Sequence, residues 1–442
     1  GIVLTMGMAV DANVLIHERI KEEIRAGKSL VRAVHDGHIK SYSAVFDTHL
    51  TTLITGIILA YFGLGPVLGY ATTLNIGVVL TLFTAVFMAH VIFDWWLKRG
   101  KDMKFTTRLS HNNFANLNIQ FVNKRKYAYI FSGTLFVISI LSISIRGFDY
   151  GVDFSGGRSY VVQFPTQVTT EQVKSELAKK EVFGIAPEVK TYGANDKMKI
   201  TTGYLINETN SKADSLVDVK MFEGLKKFLP GDVDYSTFVT KYQLSSQVVG
   251  PSISADILNS AYKAIIFSLI GIFLYILLRF RKWQFALGAI ISLIHDVAMV
   301  MGAYSLLHGI VPFTLEVDET FVAAALTVMG YSVADTVIVF DRIREFLREH
   351  PMGDMKKTVN DAINKTLNRT VITSSTVLLV LLILFLFGGD VIRGFSFALL
   401  LGVTFGTYSS IFVATPIVID LARMRMTKEK EAQEVKKPVA VK

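Results

Sequence analysis

The chain contains no cysteine in its 442 residues. Disulfides, thiolate metal sites and cysteine nucleophiles are therefore excluded, and any exported part must hold together by packing alone. No histidine occurs between His111 and His295, so the middle of the chain offers no histidine-based catalytic constellation. A nucleotide loop is also missing. Ala26-Gly27-Lys28-Ser29 imitates the end of a Walker A loop, but Glu22 stands where the first glycine is required and no strand precedes it. No signal peptide opens the chain, and Gly1 is no natural start, so a larger N-terminal part is expected to precede it.

Long apolar runs are abundant. The chain is 51% hydrophobic, with a mean hydropathy of +0.42, which excludes an ordinary soluble enzyme. Apolar stretches cover about 1–16, 48–63, 70–97, 127–145, 262–279, 284–308, 320–340, 370–388 and 392–421. All but the first approach the roughly 20 residues that span a bilayer core. Lysine and arginine concentrate in 17–40, 98–126, 279–282 and 341–369, which the positive-inside rule places in the cytoplasm. The formal charge of +9 is thus a topology signal and gives no reason to expect nucleic acid.

Two apolar segments repeat one another. Thr5 to Ile20 aligns with Val328 to Ile343, sharing Met6/Met329, Gly7/Gly330, Val10/Val333, Val14/Val337, Arg19/Arg342 and Ile20/Ile343. The match continues from Leu53–Gly63 to Leu378–Gly388, and through Gly69, Leu74 and Gly77 to Gly394, Leu399 and Gly402. Each half ends with three apolar helices in the same order and sense, which predicts a bundle built by parallel duplication.

Each repeat carries a carboxylate inside its first helix, Asp11 and Asp335, one position out of alignment. A charge near the bilayer centre costs several kcal/mol, so such residues point to proton or ion movement. Asp335 lies about 9 Å deeper than Asp341, and Arg369 about 6 Å inside its own helix from Lys365, at ~1.5 Å rise per residue. These depths suit an Asp335–Arg369 pair in which only the aspartate can switch. A static buried pair fixing helix register is the plainer reading. Asp47 and Asn13 are candidate polar neighbours of Asp11, and Asp47 is a weaker relay candidate, although it also fits the start of a helix at the surface. Asp296, beside His295, is a weaker relay candidate that fits equally well as a satisfied core pair. His35-Asp36-Gly37-His38 has metal-like spacing but reads as a solvated turn.

Residues 146–260 differ in character, with 13 Lys/Arg against 14 Asp/Glu. Strands are expected at 158–164, 187–192, 197–206 and within 235–249, with helices at 169–180 and 211–228. That order, β-α-β-β-α-β, predicts a ferredoxin-like sandwich on the outer face, suited to binding or docking.

Several motifs resemble the SecD/SecF protein-export membrane proteins of the RND superfamily. Gly7-Met8-Ala9-Val10-Asp11-Ala12-Asn13 with Glu18-Arg19-Ile20 is similar to the fourth transmembrane helix of SecD. Tyr150-Gly151-Val152-Asp153-Phe154-Ser155-Gly156-Gly157, Val249-Gly250-Pro251-Ser252, Gly330–Arg344 and Asn368-Arg369-Thr370 resemble SecF. The resemblance covers about 1–421. It divides the chain into SecD-like helices at 1–97, a basic linker at 98–126, a first SecF-like helix at 127–145, a periplasmic α+β domain at 146–260, five further helices at 261–421 and a charged tail at 422–442, without fixed structure past about 428.

This resemblance implies a non-enzymatic, cofactor-free subunit in the cell inner membrane, driven by protons, with sodium ions left open. Its implied partners are the Sec translocon channel and accessory proteins, unfolded preproteins and lipid. Asp11, Asp335 and Arg369 match the family's proton-pathway positions. The first three SecD helices and its large periplasmic domain are absent, so this chain alone is not expected to be fully active. His17 stands where the family carries Phe. A proton-coupled exporter of small molecules and a passive translocon assembly factor are the alternatives.

Overall fold

The computed structural model describes residues 1–100, 103–105, 118–208, 211–351 and 354–422, without the side chains at 195, 211 and 212. Much of the basic linker and all of the tail beyond 422 fall outside them. The first group of helices is α1 (Ile2–Arg25), α2 (Leu30–Phe62) and α3 (Gly65–Lys98), followed by α4 (Arg125–Arg146). After the small domain come α7 (Pro251–Phe280), α8 (Trp283–Leu307), α9 (Glu319–Glu349), α10 (Met355–Phe387) and α11 (Asp390–Ala422). Eight of these helices are long and apolar enough to cross a membrane, which makes the chain a multi-pass membrane protein. The first expected span, α1, is not among them. Its second half carries Glu18, Arg19, Lys21, Glu22, Glu23 and Arg25.

The duplication is visible in the packing. Gly7 of α1 lies against Val377 of α10, and its counterpart Gly330 of α9 lies against Thr52 and Thr55 of α2. Thr52 and Val377 are themselves equivalent at the constant spacing of the repeat. Gly77 of α3 abuts Thr5, and its counterpart Gly402 of α11 abuts Val328, the residue equivalent to Thr5. A Cβ on Gly402 would stand 2.0 Å from Val328 Cγ2, so close helix approach depends on the small residue. Both third helices also contain a π-helical segment, Thr84–Met88 and Ser410–Ala414, one residue out of register in the alignment of the repeats. The two repeats therefore exchange neighbours around a pseudo-twofold axis. At its centre α9 is buried along its whole apolar window.

The small domain contains β1 (Gly157–Gln163), α5 (Thr170–Leu177), β2 (Glu188–Tyr192), β3 (Ala194–Thr202), α6 (Ser211–Leu225) and β4 (Gln243–Val249). Its sheet has the order β2-β3-β1-β4 with every pairing antiparallel, the ferredoxin-like arrangement. Thr169 caps α5 in a reciprocal capping box with Gln172. Tyr160, Val162, Met198 and Ile200 meet Leu177, Val217 and Met221 in the core. Buried Arg158 bonds Asp214 at 2.7 Å and the Tyr204 carbonyl at 2.8 Å, tying sheet to helix. β3 ends at Thr202, short of the expected 206, because Gly203 and the positive φ of Leu205 turn the chain. Tyr235–Tyr242 is helical, so the last strand starts only at Gln243.

The domain is fastened to the bundle. Lys199 pairs with Glu316 and Lys190 with Asp149, while Gln247 donates to Asp153 at 2.7 Å. Tyr150 bridges Val317 just ahead of α9, whose N-cap Asp318 accepts from the Phe321 amide at 2.8 Å. The central helix thus begins directly beneath the domain.

Candidate functional site

Arg369 projects from α10 into the centre of the bundle, where its side chain is 6% exposed. Its Nη2 donates to Asp11 Oδ1 of α1 at 2.5 Å. Asp335 of α9, 3% exposed, faces the same group, but its Oδ2 has no hydrogen-bond partner among the described residues. The expected Asp335–Arg369 pair is therefore replaced by Asp11–Arg369. The repeat explains the exchange. Asp335 aligns with Ala12, and one residue turns a side chain by about 100° around a helix. The two carboxylates thus approach α10 from different angles. In the first repeat the position equivalent to Arg369 is Ala44, so one guanidinium serves two acids.

The surroundings leave room for a change of partner. Arg369 Nε and Nη1 are buried without partners, as are Tyr331 OH and Thr370 Oγ1. Ser374, one turn beyond Thr370 on α10, bonds Thr407 at 2.7 Å beside Asp335. Sequence reading missed Tyr331 and Ser374. The available signal was their helical spacing, four residues before Asp335 and five after Arg369, in otherwise apolar runs.

A route reaches this cluster from the basic end. A cleft of about 470 Å³ is lined by Glu18, Arg19, Glu22, Arg342, Lys365 and Asn368. A narrower space of about 80 Å³ shares part of that lining and extends past Leu15, Ser41, Ile338 and Thr366 to Arg369. At its mouth the repeats meet reciprocally. Arg19 bonds Glu345 at 2.6 Å, while Arg342, the equivalent of Arg19, bonds Glu22, the equivalent of Glu345, at 2.5 Å.

The other expected residues fall elsewhere. Asp47 lies well inside α2 and not at a helix start. It accepts from Tyr275 and from Arg279 Nε of α7, each at 2.7 Å, which makes it a satisfied link between α2 and α7. Asn13 bonds the Ala9 carbonyl of its own helix at 3.0 Å. Asp296 joins three helices through hydroxyl and imidazole groups. His35–His38 forms part of α2 and is no solvated turn. His38 is buried and stacks on His90 at 4.5 Å, because the apolar face of α2 continues beyond the membrane-length run. Among the described residues no cluster of histidine and carboxylate has the arrangement of a metal site.

Comparison with known proteins follows the same outline. The family model for the protein export membrane protein SecD/SecF C-terminal region matches residues 1–99 and 233–424, and that for the SecD/SecF GG motif matches 141–168. The protein translocase subunit SecF of Rhodothermus marinus is 44% identical over 70% of this chain and 94% of its own length. The SecDF subunit of Brucella abortus is 34% identical over 95% of this chain and 52% of its own. The crystal structure of the translocon-associated SecDF from Thermus thermophilus superposes with a TM-score of 0.81 at 32% identity, over 95% of this chain and 54% of that one. The chain thus spans about half the length of these SecDF relatives.

Proposed function

The chain belongs to the SecD/SecF family of protein-export membrane proteins, and we propose that it serves the Sec translocon as an accessory, non-catalytic subunit. In this reading the proton-motive force promotes the late stage of preprotein export across the inner membrane. The basic end of the bundle faces the cytoplasm, and residues 146–260 face the periplasm, where unfolded preprotein emerges. The observation that carries the reading is the single Arg369 between Asp11 and Asp335, bonded to the first and free to take the second.

The chemistry is a partner exchange. Arg369 stays protonated, so proton binding can change only the carboxylates. A proton on Asp335 leaves Arg369 with Asp11, the arrangement observed. Its loss creates a second anion beside the same guanidinium and draws Arg369 toward α9. Because α9 begins beneath the small domain, a shift of this helix is felt at Asp318, Val317 and Tyr150. One charge crossing the field supplies about 2.3 kcal/mol per 100 mV, so a few protons per cycle suffice to oppose backsliding of an unfolded chain. Sodium would act through the same carboxylates and is the alternative coupling ion.

The test is completion of preprotein export in inverted vesicles carrying the full-length protein, with the motor ATPase inhibited after an initial push. Wild type is expected to finish only with a proton gradient, whereas Asp335→Asn and Arg369→Ala stall despite normal assembly. Completion by both variants would leave the passive assembly reading.

A further inference from the structure

The bundle holds a second buried carboxylate that the Asp11–Arg369–Asp335 exchange does not use. Asp296, in the middle of α8, is 0% exposed. Its Oδ2 accepts from Ser332 of α9 at 2.6 Å and from Ser409 of α11 at 2.7 Å. Its Oδ1 stands 3.0 Å from His295 Nδ1. Among the described residues no lysine or arginine pairs with it. On α4, Arg125 is engaged by Asp420, and Arg146 by the Ser305 and His308 carbonyls. Arg279 of α7 is held by Asp47. Among the described residues of α11 a titratable neighbour is Tyr408, whose ring lies 6.3 Å from that of His295 and whose hydroxyl meets Ser132 of α4. On α9 the titratable residues flanking Ser332 are Tyr331, beside it, and Asp335, one turn beyond it.

An isolated carboxylate at such a site costs several kcal/mol, and two hydroxyl donors do not neutralise it. A compensating proton can sit on the carboxyl or on His295, the titratable side chain that touches it among the described residues. Its Nε2 is buried without a partner, so no other acid fixes its charge. We infer that His295 and Asp296 form a second proton-binding dyad of the bundle, linked by Ser332 on α9 to the Asp335 site. The step is simple: one proton joins a neutral imidazole and an ionised carboxylate, is shared between Nδ1 and Oδ1, and takes the pair from net −1 to neutral.

The linkage is geometric. Ser332 and Asp335 ride on the same rigid helix, one turn apart. Any movement of α9 that brings Asp335 to Arg369 also alters the Ser332–Asp296 bond. The packing there is tight, since a Cβ on Gly406 of α11 would stand 2.8 Å from Ser332 Cβ. The inference rests on the proton-exchange reading above and extends it to a second site.

Infrared difference spectroscopy of the purified full-length protein across pH tests it without any transport assay. Asp296→Asn keeps an oxygen that accepts from both serines, so the fold is expected to persist. A component of the titrating protonated-carboxyl C=O band, distinct from the one lost in Asp335→Asn, should be present in wild type and absent from Asp296→Asn. His295→Gln should move its midpoint by at least about one pH unit, a tenfold change in proton affinity. Asp335→Asn should shift the same midpoint on the order of fivefold, as coupled sites do. An unchanged spectrum in Asp296→Asn, or an unmoved midpoint in His295→Gln, overturns the dyad. An unmoved midpoint in Asp335→Asn overturns the link to α9. Loss of the band on adding sodium at fixed pH would identify a cation site and overturn the proton assignment. If instead the export test above fails while these band shifts appear, the proton-driven reading falls and the dyad stands.

Discussion

Arg369 and Asp11 meet at 2.5 Å across helices of opposite repeats, while Asp335 waits beside them with Oδ2 unpaired. The two acids should therefore behave differently on substitution. Asp335→Asn removes no resting ion pair and is expected to change stability by less than about 1 kcal/mol. Asp11→Asn deprives Arg369 of its partner, but Asp335 can replace it. The double variant leaves a buried guanidinium alone and should cost about 3–5 kcal/mol, well beyond the sum of the singles. Unfolding midpoints in detergent over the mutant cycle measure this.

The glycine pair at the start of β1 has φ values of +69° at Gly156 and +140° at Gly157. Side chains are strained in both regions, and a Cβ at Gly157 would also approach the Thr202 carbonyl to 3.3 Å. Gly157→Ala should cost about 1–3 kcal/mol and loosen the domain where it joins the bundle. Faster limited proteolysis between 146 and 260 would register the loss.

Asp318, just ahead of α9, gives a pH dependence. Burial pushes its carboxyl up to about 6 from an ordinary 3.8, and the nearby Asp153 and Glu316 push the same way, against hydrogen bonds from Thr320 and the Phe321 amide. The folded state then binds this proton more tightly than the unfolded state. Its contribution is greatest below pH ~4 and is lost as pH rises to about 6. Asp318→Asn, which still caps the helix, should abolish that slope. A profile of unfolding midpoint from pH 3.5 to 7.5 decides the matter; an identical slope in the variant would count against the assignment.

The reciprocal charges at the basic end yield a prediction of restoration. Arg19→Glu places like charges opposite Glu345, and adding Glu345→Arg reinstates an opposite pair. Because these side chains are 20% and 23% exposed, the coupling should be on the order of 1 kcal/mol and should weaken with salt. Double-mutant cycles at low and high ionic strength read it directly.

Much of this was legible before the structure. The repeat, the apolar spans and the strand order of the small domain follow from periodicity and turn residues, and those expectations agree with the helices and sheet observed. The partner of Arg369 was not legible. Depth along a helix can be counted from sequence, but the direction of a side chain depends on how neighbouring helices are rotated, and the one-residue offset between Asp11 and Asp335 reverses the choice. Asp47 and His38 failed for a related reason. Both were placed by the end of an apolar run, whereas α2 continues two turns or more beyond it by recruiting Tyr275, Arg279 and His90 as polar partners.

The most direct measurement is the contact of Arg369 with each carboxylate as pH changes. Solid-state NMR distances from Arg369 Cζ to the carboxyl carbons of Asp11 and Asp335 supply it, in lipid and on the full-length protein. The account predicts a short Asp11 distance at low pH and a shortening Asp335 distance as that residue loses its proton. A guanidinium that stays on Asp11 throughout, with Asp335 titrating at constant distance, would contradict it and make the pair a fixed structural link.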